Sequence, residues 1–202
     1  MSKKGLLLVI SGPSGVGKGT VCKEYLASHP DCGLSVSATT RAPREGEIDG
    51  VHYHFLTQEA FRKKIDADGF LEHAVFCENY YGTPKDAVME MIEQGKDVIL
   101  EIEVQGALQV RSHYPEGVFI FVLPPSMEEL ENRLRGRGTE TNEVIEKRLL
   151  RAKAEFKFIE KYNYILVNDT VENAVKTLDS IVSAEKCLVA RNYNEVKEEF
   201  ID

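Results

Sequence analysis

The sequence predicts an α/β fold of three layers, with a parallel central sheet between two layers of helices. Four apolar runs, each of strand length, cover residues 6–10, 97–104, 118–123 and 164–167. Segments with apolar residues at helical spacing lie between them, and strands that alternate with helices predict a parallel sheet with right-handed crossovers. Ligands of such sheets bind beyond the carboxyl ends of the strands, so we expect a site there.

The first predicted strand leads directly into a glycine-rich loop. Four glycines fall within residues 12–19, a density that lets the backbone turn tightly and present successive N–H groups inward. Lys18 follows where a helix is expected to begin, and a turn that binds nothing would not account for this context. Amides, helix dipole and lysine together predict a cradle for nucleotide phosphates. The loop consists of Gly12, Pro13, Ser14, Gly15, Val16, Gly17, Lys18, Gly19 and Thr20.

One position of this loop differs from the common pattern of such cradles. Gly19 stands where a Ser or Thr usually contacts the metal ion. Thr20 is the nearest substitute, so the sequence leaves open which protein hydroxyl would lie near Mg²⁺.

Composition limits the kinds of partner. The 202 residues suit one α/β domain with insertions, and a net charge of −8 provides no general basic field for nucleic acid or for an anionic membrane. The longest apolar runs are strand-sized, and the first residues do not resemble a signal peptide. We therefore expect a soluble, cytoplasmic protein. The cysteines share no C-x-x-C spacing and are predicted to be small buried residues; they are Cys22, Cys32, Cys77 and Cys187.

Two helices and a small mixed insert are predicted before residue 96. One helix covers residues 18–28. Thr83 and Pro84 predict the N-cap and first turn of another helix, which stops at Gly95. The insert between them contains a helix that opens at Thr57. Its β-like runs are residues 34–40, 51–56 and 72–76.

The second half of the chain contains carboxylates and helical arginines. The strand at 97–104 ends in Glu101 and Glu103, which lie two residues apart and hence on one face. Carboxylates at the end of a buried strand indicate a site. Ser126 and Glu129 predict a capping box at the start of a helix. The remaining elements are a helix over residues 145–159 that carries Arg148, a final helix over residues 171–182, and an acidic tail after residue 191 that is expected to fray.

Long motifs make the sequence resemble the guanylate kinases over nearly its whole length. They are GPSGVGKGT, SVSATTRAPREGEIDGVHY, NYYGTP, EIEVQG, RLRGRGTE and LVND. The resemblance implies a P-loop NTPase fold that transfers the γ-phosphoryl group of ATP to GMP with Mg²⁺. It leaves open whether the protein is a monomer or a homo-oligomer. The implied organisation is one domain of about residues 5–185: a core (1–34, 84–125 and 157–202), a GMP-binding insert of mixed α+β structure (35–83) and a helical lid (126–156).

The resemblance also implies roles for single residues. Phosphoryl transfer needs positioning and cations, which suits arginine, while a carboxylate with hydroxyls matches the hydrogen-bonding edge of guanine better than that of adenine. The implied GMP-binding residues are Ser37, Arg41, Arg44, Tyr53, Glu72, Tyr81, Thr83 and Glu103, the last orienting either GMP or an arginine. The implied catalytic cations are Lys18, Arg41, Arg133, Arg137 and Arg148; Arg137 and Asn168 would border the adenine, and Glu101 would act on metal-bound water.

Other interpretations of these residues stay open at this stage. Arg41 and Arg44 could be solvated loop charges, Glu101 and Glu103 could form a structural ion pair, and Thr83 fits an N-cap. The whole chain could be a catalytically inactive, guanylate-kinase-like module that binds proteins, or a kinase for another small phosphorylated acceptor.

Overall fold

The computed structural model describes residues 4–136, 138 and 141–201. The strands are β1 (Leu7–Ser11), β2 (Gly33–Leu34), β3 (Ala38–Thr39), β4 (His54–Phe55), β5 (Phe70–Phe76), β6 (Asn79–Pro84), β7 (Val98–Glu101), β8 (Val118–Leu123) and β9 (Tyr164–Val167). The helices are α1 (Lys18–Ser28), α2 (Gln58–Asp66), α3 (Lys85–Glu93), α4 (Val104–His113), α5 (Met127–Gly136), α6 (Asn142–Glu155), α7 (Val171–Lys186) and α8 (Val189–Phe200), with a 3₁₀ turn at Phe156–Lys161.

Strand β1 lies at the centre of a parallel sheet with the order β2-β7-β1-β8-β9. It pairs with β7 on one side and β8 on the other, so that Leu8 lies opposite both Ile99 and Val118. Every residue of β1 is buried because helices cover both faces of the sheet. One core contains Val21 of α1, and the other contains Ile92 of α3. The predicted α/β fold is confirmed.

A second sheet, of order β4-β3-β6-β5, lies within residues 38–84. Strands β5 and β6 form an antiparallel hairpin, and Phe61 of α2 stacks on Phe70 of β5 with ring centroids 4.3 Å apart. The insert therefore contains both strands and a helix. The division of the chain into core, insert and lid stays a prediction.

Two predicted N-caps are present. The Thr57 hydroxyl accepts a hydrogen bond from the Ala60 N–H at 3.1 Å, and the Ser126 hydroxyl accepts one from the Glu129 N–H at 3.0 Å. The Glu129 carboxylate does not complete a capping box; it pairs with Arg133.

Two element boundaries around residues 80–104 were predicted wrongly. The seventh strand ends at Glu101, because Val104 begins helix α4, which buries Val104 and Val110 on one face. Thr83 is not an N-cap: it belongs to β6, and α3 begins at Lys85 without a side-chain cap. In both places the local sequence favoured a different element boundary. Packing between distant parts of the chain determined where the strand ends and where the helix begins.

The segment 192–200, which the sequence predicts to fray, is helical. It continues helix α8, which Asn192 anchors by donating to the carbonyl oxygens of Lys186 and Leu188 at 2.9 and 2.8 Å. Of the cysteines, Cys22 is buried and Cys32 is partly buried, whereas Cys77 and Cys187 are exposed, contrary to the prediction. Among the described residues, no helix is both long enough and apolar enough to cross a bilayer.

Candidate active site

The glycine-rich loop joins the carboxyl end of β1 to the start of α1. Gly17 has a φ of 90°, and a Cβ there would lie 2.4 Å from Asn168 Nδ2, so both backbone conformation and space require glycine. The Lys18 ammonium folds over the loop and donates to the carbonyl oxygens of Gly12 and Pro13 at 2.6 and 3.2 Å. Burial lowers the pKa of Lys18, and the nearby carboxylates of Glu101 and Glu103 oppose that shift.

Two cavities adjoin the loop. The larger has a volume of about 600 Å³, and the smaller about 80 Å³. A volume of several hundred Å³ is typical of a site for a nucleotide-sized ligand. The larger cavity is lined by Lys18, Ser37, Tyr53, Glu72, Ala74, Val75, Phe76, Tyr81, Gly82, Glu101, Ile102, Glu103, Gln105, Gly106 and Arg151. The smaller is lined by Gly12, Ser14, Lys18, Glu103, Arg151 and Glu155.

Glu72 is a buried carboxylate in the wall of the larger cavity. The register of the hairpin places Glu72 opposite Thr83, and the Thr83 hydroxyl donates to Glu72 Oε1 at 2.7 Å. Gly106 lies against the other oxygen: a Cβ there would come within 3.0 Å of Glu72 Oε2. Burial raises the pKa of Glu72, while the hydrogen bonds from Thr83 act in the opposite direction. The carboxylate is thus held in one orientation at the cavity wall.

The loop after β3 holds Arg41 in a network of contacts. Arg41 donates to Glu47 Oε1 at 2.8 Å, and the Arg44 N–H donates to Glu47 Oε2 at 2.7 Å. The Arg41 guanidinium also lies 5.6 Å from the ring centre of Tyr53, within cation–π range. The hydrogen bond from Arg41, with the backbone hydrogen bond from Arg44, lowers the pKa of Glu47 to about 2. Sequence reasoning missed Glu47, although it follows Arg44 by three residues within the same motif.

Arg133 and Asn168 support the phosphate loop from outside. Arg133 donates to the carbonyl oxygens of Asn168 at 2.9 Å and Val16 at 3.3 Å, and pairs with Glu129 at 2.8 Å. The buried Asn168 amide donates to the same Val16 oxygen at 2.8 Å. These contacts fix the loop beside Gly17. Arg137, also predicted to be catalytic, lies outside the described residues.

The two glutamates after β7 have different surroundings. A Cβ at Gly19 would lie 3.3 Å from Glu101 Oε2, so Glu101 occupies the space beside that loop position. Desolvation raises the pKa of Glu101, and Lys18 opposes this. Glu103 instead forms an ion pair with Arg151 of α6, which also pairs with Glu155 at 2.8 Å. Sequence reasoning missed Arg151, whose only signal was its position one turn after Arg148.

Residues far apart in the chain are therefore brought together. The predicted residues that line the larger cavity are Lys18, Ser37, Tyr53, Glu72, Tyr81, Glu101 and Glu103, and Thr83 joins them through Glu72. Arg41, Arg44, Thr20, Arg133, Arg148 and Asn168 line neither cavity in the described part of the chain; Arg148 reaches the loop at Ser14 Oγ, 3.3 Å away. The predicted loop residues Gly12 and Ser14 line the smaller cavity.

Fold and site define a class of protein. A phosphate-binding loop at the carboxyl end of a central parallel strand, beside a cavity with a buried carboxylate, is the architecture of a P-loop nucleotide-binding protein. A family model described as guanylate kinase matches residues 4–185, and the chain belongs to the guanylate kinase family.

Individual relatives agree with this assignment. The chain is 57% identical to a guanylate kinase of Clostridium acetobutylicum, over all of this chain and 94% of that protein. It is 52% identical to one of Caldanaerobacter subterraneus, over all of this chain and 99% of that protein. The crystal structure of guanylate kinase from Anaplasma phagocytophilum matches with a TM-score of 0.75 at 33% identity, covering 99% of this chain and 97% of that one.

Proposed function

We propose that this protein is an ATP:GMP phosphotransferase, which converts ATP and GMP to ADP and GDP. The observation that carries the proposal is that the buried Glu72 and the loop lysine Lys18 line one cavity. This supports the proposal because a carboxylate can recognise a base and a lysine can bind phosphate, so one cavity holds both kinds of group. The relatives described above are guanylate kinases, and none of them favours the alternative of a protein-binding module.

Recognition of guanine follows from the hydrogen-bonding groups of Glu72. Guanine presents N1–H and N2–H₂ as adjacent donors, which a carboxylate accepts; adenine offers no such pair on that edge. Thr83 holds Glu72 Oε1 at 2.7 Å and so orients the carboxylate. A base that left this buried group without donors would lose on the order of 1–3 kcal/mol for each unmet group.

The phosphates would be held by cations from several elements. Lys18 and the loop amides would bind those of ATP, while Arg41, Arg44, Tyr53 and Tyr81 would bind that of GMP. Arg41 would then exchange Glu47 for a phosphate oxygen. Arg133, Arg137 and Arg148 would act from the lid segment, residues 126–156, which would close over ATP.

The reaction forms one P–O bond and breaks another. An oxygen of the GMP phosphate attacks the γ-phosphorus of ATP, and the electron pair of the broken bond passes to the β-phosphate oxygen of ADP. The total charge of fully ionised nucleotides is the same on both sides, so the transfer needs no net proton release. Cations placed around the transferring group therefore provide most of what the protein contributes.

The residues present fit Mg²⁺ that is bound chiefly by nucleotide oxygens and water. Among the described residues, no cluster of three or more His, Cys, Asp or Glu could hold a metal. Glu101 nevertheless places a carboxylate beside Gly19, and Thr20 supplies the next hydroxyl along the helix. Glu101 would thus hold a metal-bound water. Mg²⁺, when bound with ATP, neutralises phosphate charge.

A panel of acceptors tests the proposal. The purified protein is incubated with ATP and Mg²⁺ and with GMP, AMP, CMP, UMP or dTMP in turn, and ADP formation is followed. We expect GMP alone to be phosphorylated at a substantial rate. Phosphorylation of none of the five, or preference for AMP, would contradict the assignment.

A further inference from the structure

Arg151 lies at the junction of the two cavities. Of the described residues that line both of them, Lys18 and Arg151 are the cations and Glu103 is the carboxylate. The smaller cavity adjoins the phosphate loop, and the larger contains Glu72. A group that moves from a donor on the loop to an acceptor in the larger cavity would therefore pass between Lys18 and Arg151.

Two carboxylates hold the Arg151 side chain at this junction. Its Nη2 donates to Glu103, at the N-terminus of α4, and its Nε donates to Glu155, one turn along α6, at 2.8 Å. These hydrogen bonds raise the pKa of Arg151, with Glu155 making the larger contribution. A guanidinium has five N–H donors, so two carboxylate contacts leave others to bind a further anion.

The helix itself directs Arg151 toward the loop. Arg148 precedes it by three residues, so the two side chains share a face of α6. Arg148 reaches Ser14 of the loop, 3.3 Å away, and Arg151 reaches Glu103 beside it. One helical face thus spans the distance from the phosphate loop to the acceptor cavity.

We propose that Arg151 is a further catalytic residue, which binds the transferring phosphoryl group between Lys18 and the acceptor. The inference rests on the proposed function. Glu155 keeps the guanidinium in place, and Glu103 gives up its contact when phosphate oxygens enter the junction. Because the phosphoryl oxygens carry the charge in the transition state, a guanidinium there stabilises the transition state more than the bound substrates.

Replacement of the side chain tests this role. Arg151→Gln is expected to lower kcat roughly 10- to 100-fold. This loss is smaller than the loss expected on removing a fully enclosed donor, because the Arg151 side chain is 56% exposed. Arg151→Lys keeps the charge and loses the planar guanidinium. Its kcat should lie between that of the wild type and that of Arg151→Gln. Arg135→Gln is the matched control: it also breaks an i,i+4 pair with a lid glutamate, Glu131, away from both cavities. It should keep wild-type kcat, and thermal unfolding of every variant checks the fold.

Repeating the Arg151→Gln substitution in a Glu103→Gln variant distinguishes a catalytic role of Arg151 from a purely structural ion pair with Glu103. If Arg151 binds phosphate, Arg151→Gln should lower kcat by a similar factor when Glu103 is already glutamine. If Arg151 serves only to pair with Glu103, its effect should vanish in that background, and this result would overturn the inference. Wild-type kcat in Arg151→Gln would overturn it as well while leaving the proposed function intact. Failure of the wild-type protein to phosphorylate GMP would remove both.

Discussion

The Thr83 hydroxyl and the Glu72 carboxylate form a buried hydrogen bond of 2.7 Å across the β5–β6 hairpin. The pair is the centre of the proposed guanine site, and it also explains why Thr83 does not cap α3. A hydroxyl oriented by this carboxylate cannot at the same time turn toward the helix N-terminus. Glu72 is therefore the residue at which base recognition is tested most directly.

Glu72→Gln should weaken GMP binding selectively. The glutamine keeps the volume but replaces one acceptor oxygen by a donor that faces guanine N–H groups. We expect KM for GMP to rise about 10- to 100-fold, equivalent to roughly 1.4–2.8 kcal/mol, with KM for ATP nearly unchanged. Glu59→Gln, on the exposed face of α2, is the matched control. Unchanged GMP kinetics in Glu72→Gln would indicate another acceptor.

The raised pKa of Glu72 predicts a pH dependence of GMP binding. As the pH falls, burial causes Glu72 to be protonated earlier than an exposed glutamate, and the neutral acid no longer accepts both guanine donors. KM for GMP should therefore rise on the acid side. Thr83→Val removes a hydrogen bond that favours the carboxylate, so it should move this rise to higher pH. The Glu72→Gln variant is the control, because any pH dependence of its KM for GMP comes from groups other than Glu72, including GMP itself. A pH profile of Thr83→Val that coincides with the wild-type profile would contradict the assignment of this titration to Glu72.

The same shift predicts the sign of a stability change. The folded state binds the Glu72 proton more tightly than the unfolded state, so the free energy of unfolding falls as pH rises between the ordinary glutamate pKa and the raised one. Above that window the destabilisation is fully present. Glu72→Gln should consequently raise the thermal unfolding midpoint at neutral pH. A lower midpoint would show that the charged form is favoured by the fold.

Lys18→Ala should abolish most phosphoryl transfer without unfolding the protein. Lys18 Nζ donates to two loop carbonyl oxygens, and its ammonium group is proposed to bind the phosphates of ATP instead when ATP is present. We expect kcat to fall on the order of 10²- to 10³-fold. Lys23→Ala, an exposed position of the same helix, should remain near wild type. Normal turnover in Lys18→Ala would remove the loop from the mechanism.

Arg41→Met should raise KM for GMP more than KM for ATP. The change removes a guanidinium proposed to leave Glu47 for the GMP phosphate and retains an apolar side chain beside Tyr53. A loss of roughly 10- to 100-fold corresponds to one charge-assisted hydrogen-bonding group. Arg62→Met is the control, since Arg62 also lies over a tyrosine ring, that of Tyr80, but is not among the residues proposed to bind GMP. A larger rise in KM for ATP than in KM for GMP would place Arg41 in the ATP site and contradict its proposed role.

What could be predicted from the sequence was mostly local. Residues 6–28 contain a strand, a glycine loop, a lysine and a helix start in succession, and each of these features depends on near neighbours. The buried strands were equally clear, because burial on both faces leaves a continuous apolar run. The long motifs then identified the family, which the family model and the relatives confirm.

Only the tertiary structure decided which side chains meet. Arg151 and Glu103 lie 48 positions apart, and their contact depends on how α6 packs through Ile145 and Ala152 into the core on one face of the sheet. The partner of Thr83 was decided by hairpin register, and the end of β7 by the burial of α4 against the sheet. Periodic patterns in the sequence do not predict such contacts, because the contacts join elements whose relative placement is set by the packing of the whole core.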